Sequence, residues 1–304
     1  MSLLAKGLFR ESDVCGSTSG AKAHLPSRPL GVYFVENGRL TPAETDQILR
    51  LQQSENIRFG DAGIELGLLT PDDVRLALSD QFDYHYLPDS DASLSQDLVA
   101  AYAPFTPFVE ELRGLRSQLQ LRWFSGEAQR RALTIVSPGR NEGRSFIAAN
   151  LAIVFSQLST PTLLVDADLR NPCQHQLFKL GSRLGLSDIL AGHCGLEAIR
   201  PIASLQGLSV LTAGTIPPNP QELLGRSAFK RLLETLRKEF DHVIFDSPPG
   251  AFFADAQIIS ANTGAALLLA REHQTVAPEL TDLMGRLQEN GTTLVGSVIN
   301  QCPG

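Results

Sequence analysis

"SPGRNEGRSFIAANLA", residues 137–152, decides the fold class. It follows the apolar run Ala132–Val136, and a helical pattern begins at the hydroxyl residue Ser145. A glycine-bearing turn between a buried strand and a helix gathers backbone N–H groups and the positive helix end into one concave anion site. At the head of that helix the Ser145 hydroxyl is placed to ligate a divalent cation. Arg144 stands where loops of this kind carry lysine.

Outward from this stretch, apolar runs alternate with amphipathic ones. Strands are expected near 132–136, 162–166, 208–212, 242–246, 265–270 and 293–299, with helices between them, among them 145–158, 227–239 and 276–289. Such alternation gives a parallel sheet covered on both faces, whose ligands collect at the carboxyl ends of the strands. "TLLVDADLRNP" (162–172) places Asp166 and Asp168 at one such end, where a bend is needed for both to face one site. "DHVIFDSPPG" (241–250) ends another strand in Asp246, followed by a Ser-Pro-Pro turn. Taken singly, a strand-end aspartate is commonly a helix cap or turn former. In this order, after an anion loop, the three are the parts of a Mg2+–phosphoryl site.

The chain has 304 residues, enough for two domains, and its 43% hydrophobic and 19% charged residues suit a globular protein with a sizeable core. A net charge of −7 argues against general nucleic-acid binding. No apolar stretch approaches bilayer-spanning length, the opening residues do not read as a secretory signal, and a cytoplasmic location is expected. Cys15, Cys173, Cys194 and Cys302 lack metal or CxxC spacing and read as isolated thiols.

Residues 1–27 read as a flexible tail. A repeat follows: "PLGVYFVENGRLTPAETDQILRLQ" (29–52) and "RFGDAGIELGLLTPDDVRLALSDQ" (58–81) align at an offset of 29 residues. Thr41 and Thr70 are expected helix N-caps with proline behind them. Glu44 completes a capping box, and Asp73 a weaker one. Gly38 and Gly67 end the preceding short helices. Residues 28–88 are thus a small, mainly helical two-repeat domain, 89–104 ("DSDASLSQ" and after) a polar linker, and 105–304 the α/β domain.

The repeat resembles the MshEN type of N-terminal domain found in secretion and pilus ATPases, in length and in its five-residue spacer. Some members of that type bind cyclic-di-GMP, and the resemblance implies Gln52, Arg58 and Gln81 as its contacts. Pro29 replaces the first expected arginine, with Arg28 beside it, and Phe59 replaces a leucine. The plainer alternative is a helical protein-interaction domain; its ten acidic and five basic residues make it a poor general anion trap.

From about residue 105 onward the chain resembles the bacterial tyrosine kinases of polysaccharide export, which have a P-loop NTPase fold of the SIMIBI, MinD-like class with a doubly wound parallel sheet. "SPGRNEGRS" corresponds to their Walker A loop, "LLVDADLR" to Walker A′ and "VIFDSPP" to Walker B; "GLSDILAG" (185–192) and "AGTIPPNPQELL" (213–224) are further family segments. The arginine loop is similar to the EpsG branch, tyrosine kinases associated with exopolysaccharide chain-length determination.

The resemblance implies ATP and Mg2+ as cofactors. It implies that Gly139, Arg140, Asn141, Glu142, Gly143, Arg144 and Ser145, with Phe146 after them, form the nucleotide site. Arg144 would neutralise the transferring group, Ser145, Asp168 and Asp246 would hold the metal, and Asp166 would take the proton of the attacking tyrosine. Glu110, Arg113 and Arg116 fit the E-x-x-R-x-x-R pattern through which the family builds a homo-oligomeric ring, although the same spacing suits an ordinary solvated helix face. A membrane-spanning, Wzz-like chain-length determinant is the implied activator, holding the chain at the inner membrane.

The chain departs from the family in its tyrosines: Tyr33, Tyr84, Tyr86 and Tyr102 all precede the α/β domain, where members usually carry a C-terminal cluster. Two other readings stay open. One is a MinD/ParA-like ATPase switch, against which the lysine early in that group's loop is missing. The other is a catalytically silent, nucleotide-responsive scaffold.

Overall fold

The computed structural model describes residues 29–81, 86–88, 90–124, 127–181 and 184–301; the expected tail at 1–27 lies outside them. The chain divides into two compact units, one reaching to Leu68 and the other starting at Leu69, so the division falls inside the second repeat.

In the first unit are α1 (Leu30–Glu36), α2 (Pro42–Glu55) and α3 (Phe59–Glu65). Thr41 caps α2 through a complete box: the Glu44 N–H donates to the threonine hydroxyl, and the Thr41 N–H donates to the Glu44 carboxylate at 2.7 Å. Phe34, Ile48, Phe59 and Ala62 make the small core, with the Phe34 and Phe59 rings stacked. A Cβ on Gly31 would come within 2.9 Å of Thr45, which is why α1 approaches α2 at a glycine.

The second unit begins with α4 (Pro71–Gln81). Its box at Thr70 is as complete as the first, because Asp73 accepts from both the Thr70 N–H and hydroxyl while its own N–H returns to that hydroxyl; the shorter side chain did not weaken it. Then come α5 (Val99–Tyr102), α6 (Pro107–Arg122), β1 (Ala132–Val136), α7 (Arg144–Ser156), β2 (Thr162–Asp166), α8 (Gln174–Leu177), α9 (Leu186–Ala191) and β3 (Arg200–Pro201). The chain continues through β4 (Leu208–Leu211), α10 (Pro220–Leu224), α11 (Ser227–Glu239), β5 (His242–Asp246), α12 (Asp255–Thr263), β6 (Ala265–Arg271), α13 (Ala277–Glu289) and β7 (Thr293–Asn300). All but the two-residue β3 run parallel in one sheet of order β3-β4-β2-β5-β1-β6-β7.

Period-two alternation sends the strands' side chains into separate cores on opposite faces. Leu164, Ile244, Leu133 and Ile135 meet α5, α6 and the largely apolar, buried α7; Leu163, Val165, Val243 and Phe245 meet α9, α10 and α11. A third cluster joins α12 and α13 to β1 and β6.

Of residues 89–104, expected as a linker, the described 90–104 are instead built into this unit. Leu94, Leu98 and Tyr102 recur every four residues and are buried in the α7 core. The fully buried Asn150 of α7 accepts from the Ala100 N–H at 2.8 Å and donates to the Asp97 carbonyl at 3.1 Å. Polar letters at the exposed positions hid an apolar stripe beneath them.

His242 opens β5 between the rings of Phe124 and Phe155, at centroid distances of 4.9 and 4.5 Å. Burial pushes its pKa down to about 4; Asp241 opposes the shift, and Arg131 and Arg116 reinforce it. The folded chain therefore prefers neutral imidazole, while the unfolded chain gains its proton near pH 6.5. Stability from this residue is complete above pH 6.5 and is lost as pH falls toward 4, up to about 3 kcal/mol in all. Urea midpoints measured between pH 7.5 and 4.5 should fall more steeply for the parent chain than for His242→Phe, which keeps the ring packing. Parallel profiles would show that the imidazole titrates without consequence.

Candidate functional site

Strands β2, β5 and β1 lie side by side, so their carboxyl ends form one edge. Asp166 and Asp246 are register partners across β2 and β5, and Ile135 of β1 pairs with Asp246 one strand further on. The loop 137–143 leaves β1 at this edge. Together Arg140, Asn141, Glu142, Gly143, Arg144, Ser145, Phe146, Asp168, Asn171, Cys173 and Pro249 line a cleft of about 440 Å3.

The loop's conformation is set locally. Asn141 (φ 58°) and Gly143 (φ 94°) both take left-handed backbone, and a Cβ on Gly143 would fall 2.2 Å from the Asn300 amide. Glu142 is 2% exposed and accepts the Gly139 N–H at 2.6 Å, while the Thr275 hydroxyl donates to its other oxygen. Arg144, only 8% exposed, turns toward the protein: Nε donates to the Ser247 carbonyl at 2.8 Å, and Nη1 to the Ser137 hydroxyl and the Gly139 carbonyl. Gly139 is thus gripped at its N–H by Glu142 and at its carbonyl by Arg144. Burial lowers the pKa of that guanidinium, against the opposing charges of Asp246, Asp168 and Glu142.

The acidic residues divide by depth. Asp168 faces the cleft and closes a turn, accepting from the Arg170 and Asn171 N–H groups. Asp166 and Asp246 lie beneath it, both fully buried. Asp166 Oδ2 accepts from the Cys173 and Gln174 N–H groups and so caps α8; Asp246 Oδ2 accepts from the Gln174 amide at 2.8 Å. The Oδ1 atoms of both have no hydrogen-bond partner. Burial and the charge of Asp246 hold Asp166 well above the usual carboxylate range. Asp246 is pushed up to about 6, chiefly by burial, with hydrogen bonds from Ser145 and Gln174 pulling it back. Two buried carboxylates, each with an unpaired oxygen, form a costly arrangement unless a cation or proton is shared between them. The donor set therefore fits a hard, oxygen-seeking divalent ion.

Every residue expected at the nucleotide and metal site falls at this one edge of the sheet. The α6 residues do not join it. Arg113 pairs with Glu110 at 2.7 Å and donates to the Pro104 carbonyl, and Arg116 donates to the Val154 carbonyl, so both arginines already bind within the chain. In the first unit Arg58 is exposed at the start of α3 and Gln52 is half-buried on α2, while the side chain of Gln81 and all of Arg28 lie outside the described residues.

Several neighbours went unnoticed in the sequence. Gln174 links the Ser145 carbonyl to Asp246. Asp255 pairs with Arg170, whose guanidinium lies 4.0 Å from the Phe253 ring centre, tying the two acidic loops together. Cys173 lines the cleft, but burial and the Asp246 charge push its thiol up to about 12, so it is no nucleophile at neutral pH. The family segments 185–192 and 213–224 meet backbone to backbone: Leu186 and Ser187 donate to the Thr212 and Ala213 carbonyls, and Asp188 accepts from Gly185 and Thr215.

Fold and site together define a P-loop α/β protein, with its anion loop after β1 and acidic strand ends on the adjacent β5 and on β2 beyond it. No family model matches the chain. It is 38% identical over 192 residues to the tyrosine-protein kinase ptk of Acinetobacter johnsonii, covering 63% of this chain and 26% of that one. It is 30% identical over 200 residues to CapB of Staphylococcus aureus, which carries the name of a tyrosine-protein kinase, covering 66% of this chain and 87% of CapB. Among solved structures, the kinase domain of the Escherichia coli tyrosine kinase ETK is 34% identical with a TM-score of 0.64, over 67% of this chain and 79% of that one. The chain belongs to the bacterial tyrosine-protein kinase family. It spans about a quarter of the length of the longer relatives, 26% to 29%. Among the described residues no helix is long and apolar enough to cross a membrane.

Proposed function

We propose that the chain is an ATP-dependent protein tyrosine kinase acting in the control of exopolysaccharide length or export. The observation that carries this reading is the pair of unpartnered, fully buried carboxylate oxygens on Asp166 and Asp246, beneath a loop whose backbone forms an anion cradle. Loop residues 139–145 would hold the triphosphate, and Ser145, Asp168 and Asp246 would hold Mg2+, which when bound supplies charge neutralisation for the phosphates. Arg144 braces the loop through Gly139 and Ser247 and contributes positive charge to the same cleft. Asp166, beside Asp246 at the strand ends, would accept the proton of the incoming tyrosine hydroxyl. Positioning and charge account for most of phosphoryl transfer, so no further covalent group is needed.

The acceptor tyrosine is not Tyr102, which is buried with its hydroxyl bonded to both the N–H and the carbonyl of Leu94. Incubation with labelled ATP and Mg2+, with and without the cytoplasmic segment of a chain-length determinant, should yield phosphotyrosine. Free phosphate alone would favour the ATPase-switch reading, and neither product would leave the scaffold.

The repeat at 28–88 would serve as a sensory module, with 105–304 carrying the chemistry. An MshEN-like role rests on the resemblance of the repeat, with Arg58 exposed at the start of α3; calorimetry with cyclic-di-GMP should show binding that Arg58→Ala removes, and a flat wild-type titration ends the idea. Ring assembly through α6 would first have to break the in-chain bonds of Arg113 and Arg116, and gel filtration of the double alanine variant tests it: smaller particles support the ring, an unchanged elution volume refutes it.

A further inference from the structure

The outer side of the anion loop is held by side chains that no motif marks. Three consecutive carbonyls are each taken by one donor: Arg140 by the Gln274 amide at 2.8 Å, Asn141 by Arg271 Nη1 at 2.9 Å, and Glu142 by the Asn300 amide at 3.0 Å. The Thr275 hydroxyl holds the Glu142 carboxylate beside them. In a trans peptide the C=O and the following N–H point in opposite directions. Fixing these carbonyls outward therefore turns the N–H groups of Asn141, Glu142 and Gly143 the other way, and all three residues line the cleft. Among the described residues, nothing accepts a hydrogen bond from those three N–H groups.

Arg271, Gln274 and Thr275 all sit on the turn between β6 and α13, and that turn is closed by its own bonds. The Gln274 and Thr275 N–H groups donate to the Arg271 carbonyl, the Arg271 N–H donates to the Thr275 hydroxyl, and the Glu272 N–H donates to the Asn300 carbonyl. His273, at φ 58°, makes the reversal. A closed turn is a fixed support.

We propose that Arg271, Gln274 and Thr275 are positioning residues for the anion loop, keeping its N–H groups aimed at the phosphates. This rests on the nucleotide-binding reading above, in which the loop takes a triphosphate. The side chains touch the loop and not its ligand, so their effect is on the geometry and affinity of the cradle.

The test combines Mg-ATP titration with amide hydrogen exchange on the full chain carrying Arg271→Ala and Gln274→Ala together. Two lost hydrogen bonds should weaken Mg-ATP binding about tenfold. Exchange across 140–143 should accelerate while the melting temperature stays near the parent value. Thr275→Val should act in the same direction, and Thr275→Ser, which keeps the hydroxyl, should restore binding. Unchanged affinity with unchanged exchange in the double variant overturns the proposal. A parent chain that binds no Mg-ATP defeats the nucleotide reading, and the exchange comparison then still decides whether the turn fixes the loop.

Discussion

Asp166→Asn is expected to abolish tyrosine phosphorylation while leaving nucleotide binding within about threefold of the parent. Loss of a positioned base removes roughly 10^2 to 10^4 in rate. The amide keeps an oxygen for the Cys173 and Gln174 N–H groups, so the cap on α8 survives. On its other side the amide nitrogen replaces the unpaired Oδ1 and turns a repulsive partner of Asp246 into a donor. The same variant should therefore melt a few degrees higher, because a buried like-charge pair has been relieved (~1–2 kcal/mol). Opposite movements of activity and stability are the signature of a strained catalytic pair. Normal phosphotyrosine formation by the variant would remove Asp166 from the mechanism, and a lowered melting temperature would remove the repulsion argument.

Gly185→Ala should be the most damaging single methyl in the α/β unit. A Cβ there would lie 2.2 Å from the Thr212 carbonyl oxygen and 2.3 Å from the Gly214 nitrogen, both main-chain atoms that cannot rotate aside. The backbone of Gly185 is extended, so the obstacle is proximity to a second strand of chain. Separating them sacrifices the Leu186–Thr212 and Ser187–Ala213 hydrogen bonds and disturbs the Asp188 cap of α9. The expected cost is about 3 kcal/mol, which for a unit of this size lowers the melting temperature by roughly 10 °C. A melting curve within a degree or two of the parent would mean that this junction is looser than drawn.

The strands were legible because buried parallel strands are short apolar runs with nothing else to explain them, and β1, β2 and β5 are buried at every position. α11 was legible from its apolar face. The short α8 and α9 were not, because their stability lies in distant partners: Asp166 caps α8, and Asp188 braces α9 against the segment after β4. At the site, the loop and its carboxylates announced themselves by their order along the chain. Gln174, Arg271, Gln274 and Thr275 carry no such signal. They are ordinary polar residues whose roles come from contacts formed 29 to 134 positions away. The 89–104 stretch shows the converse error, in which Leu94, Leu98 and Tyr102 were overlooked among serines and aspartates.

That stretch governs how this protein can be cut and recombined. A fragment begun at residue 105 would strip a stripe of leucines and a tyrosine from the surface of α7 and leave Asn150 without the backbone that satisfies it. Front segments can be swapped among such chains only if the graft leaves residues 86–88 and 90–104 with their sheet, and natural shuffling of that front segment faces the same splice point.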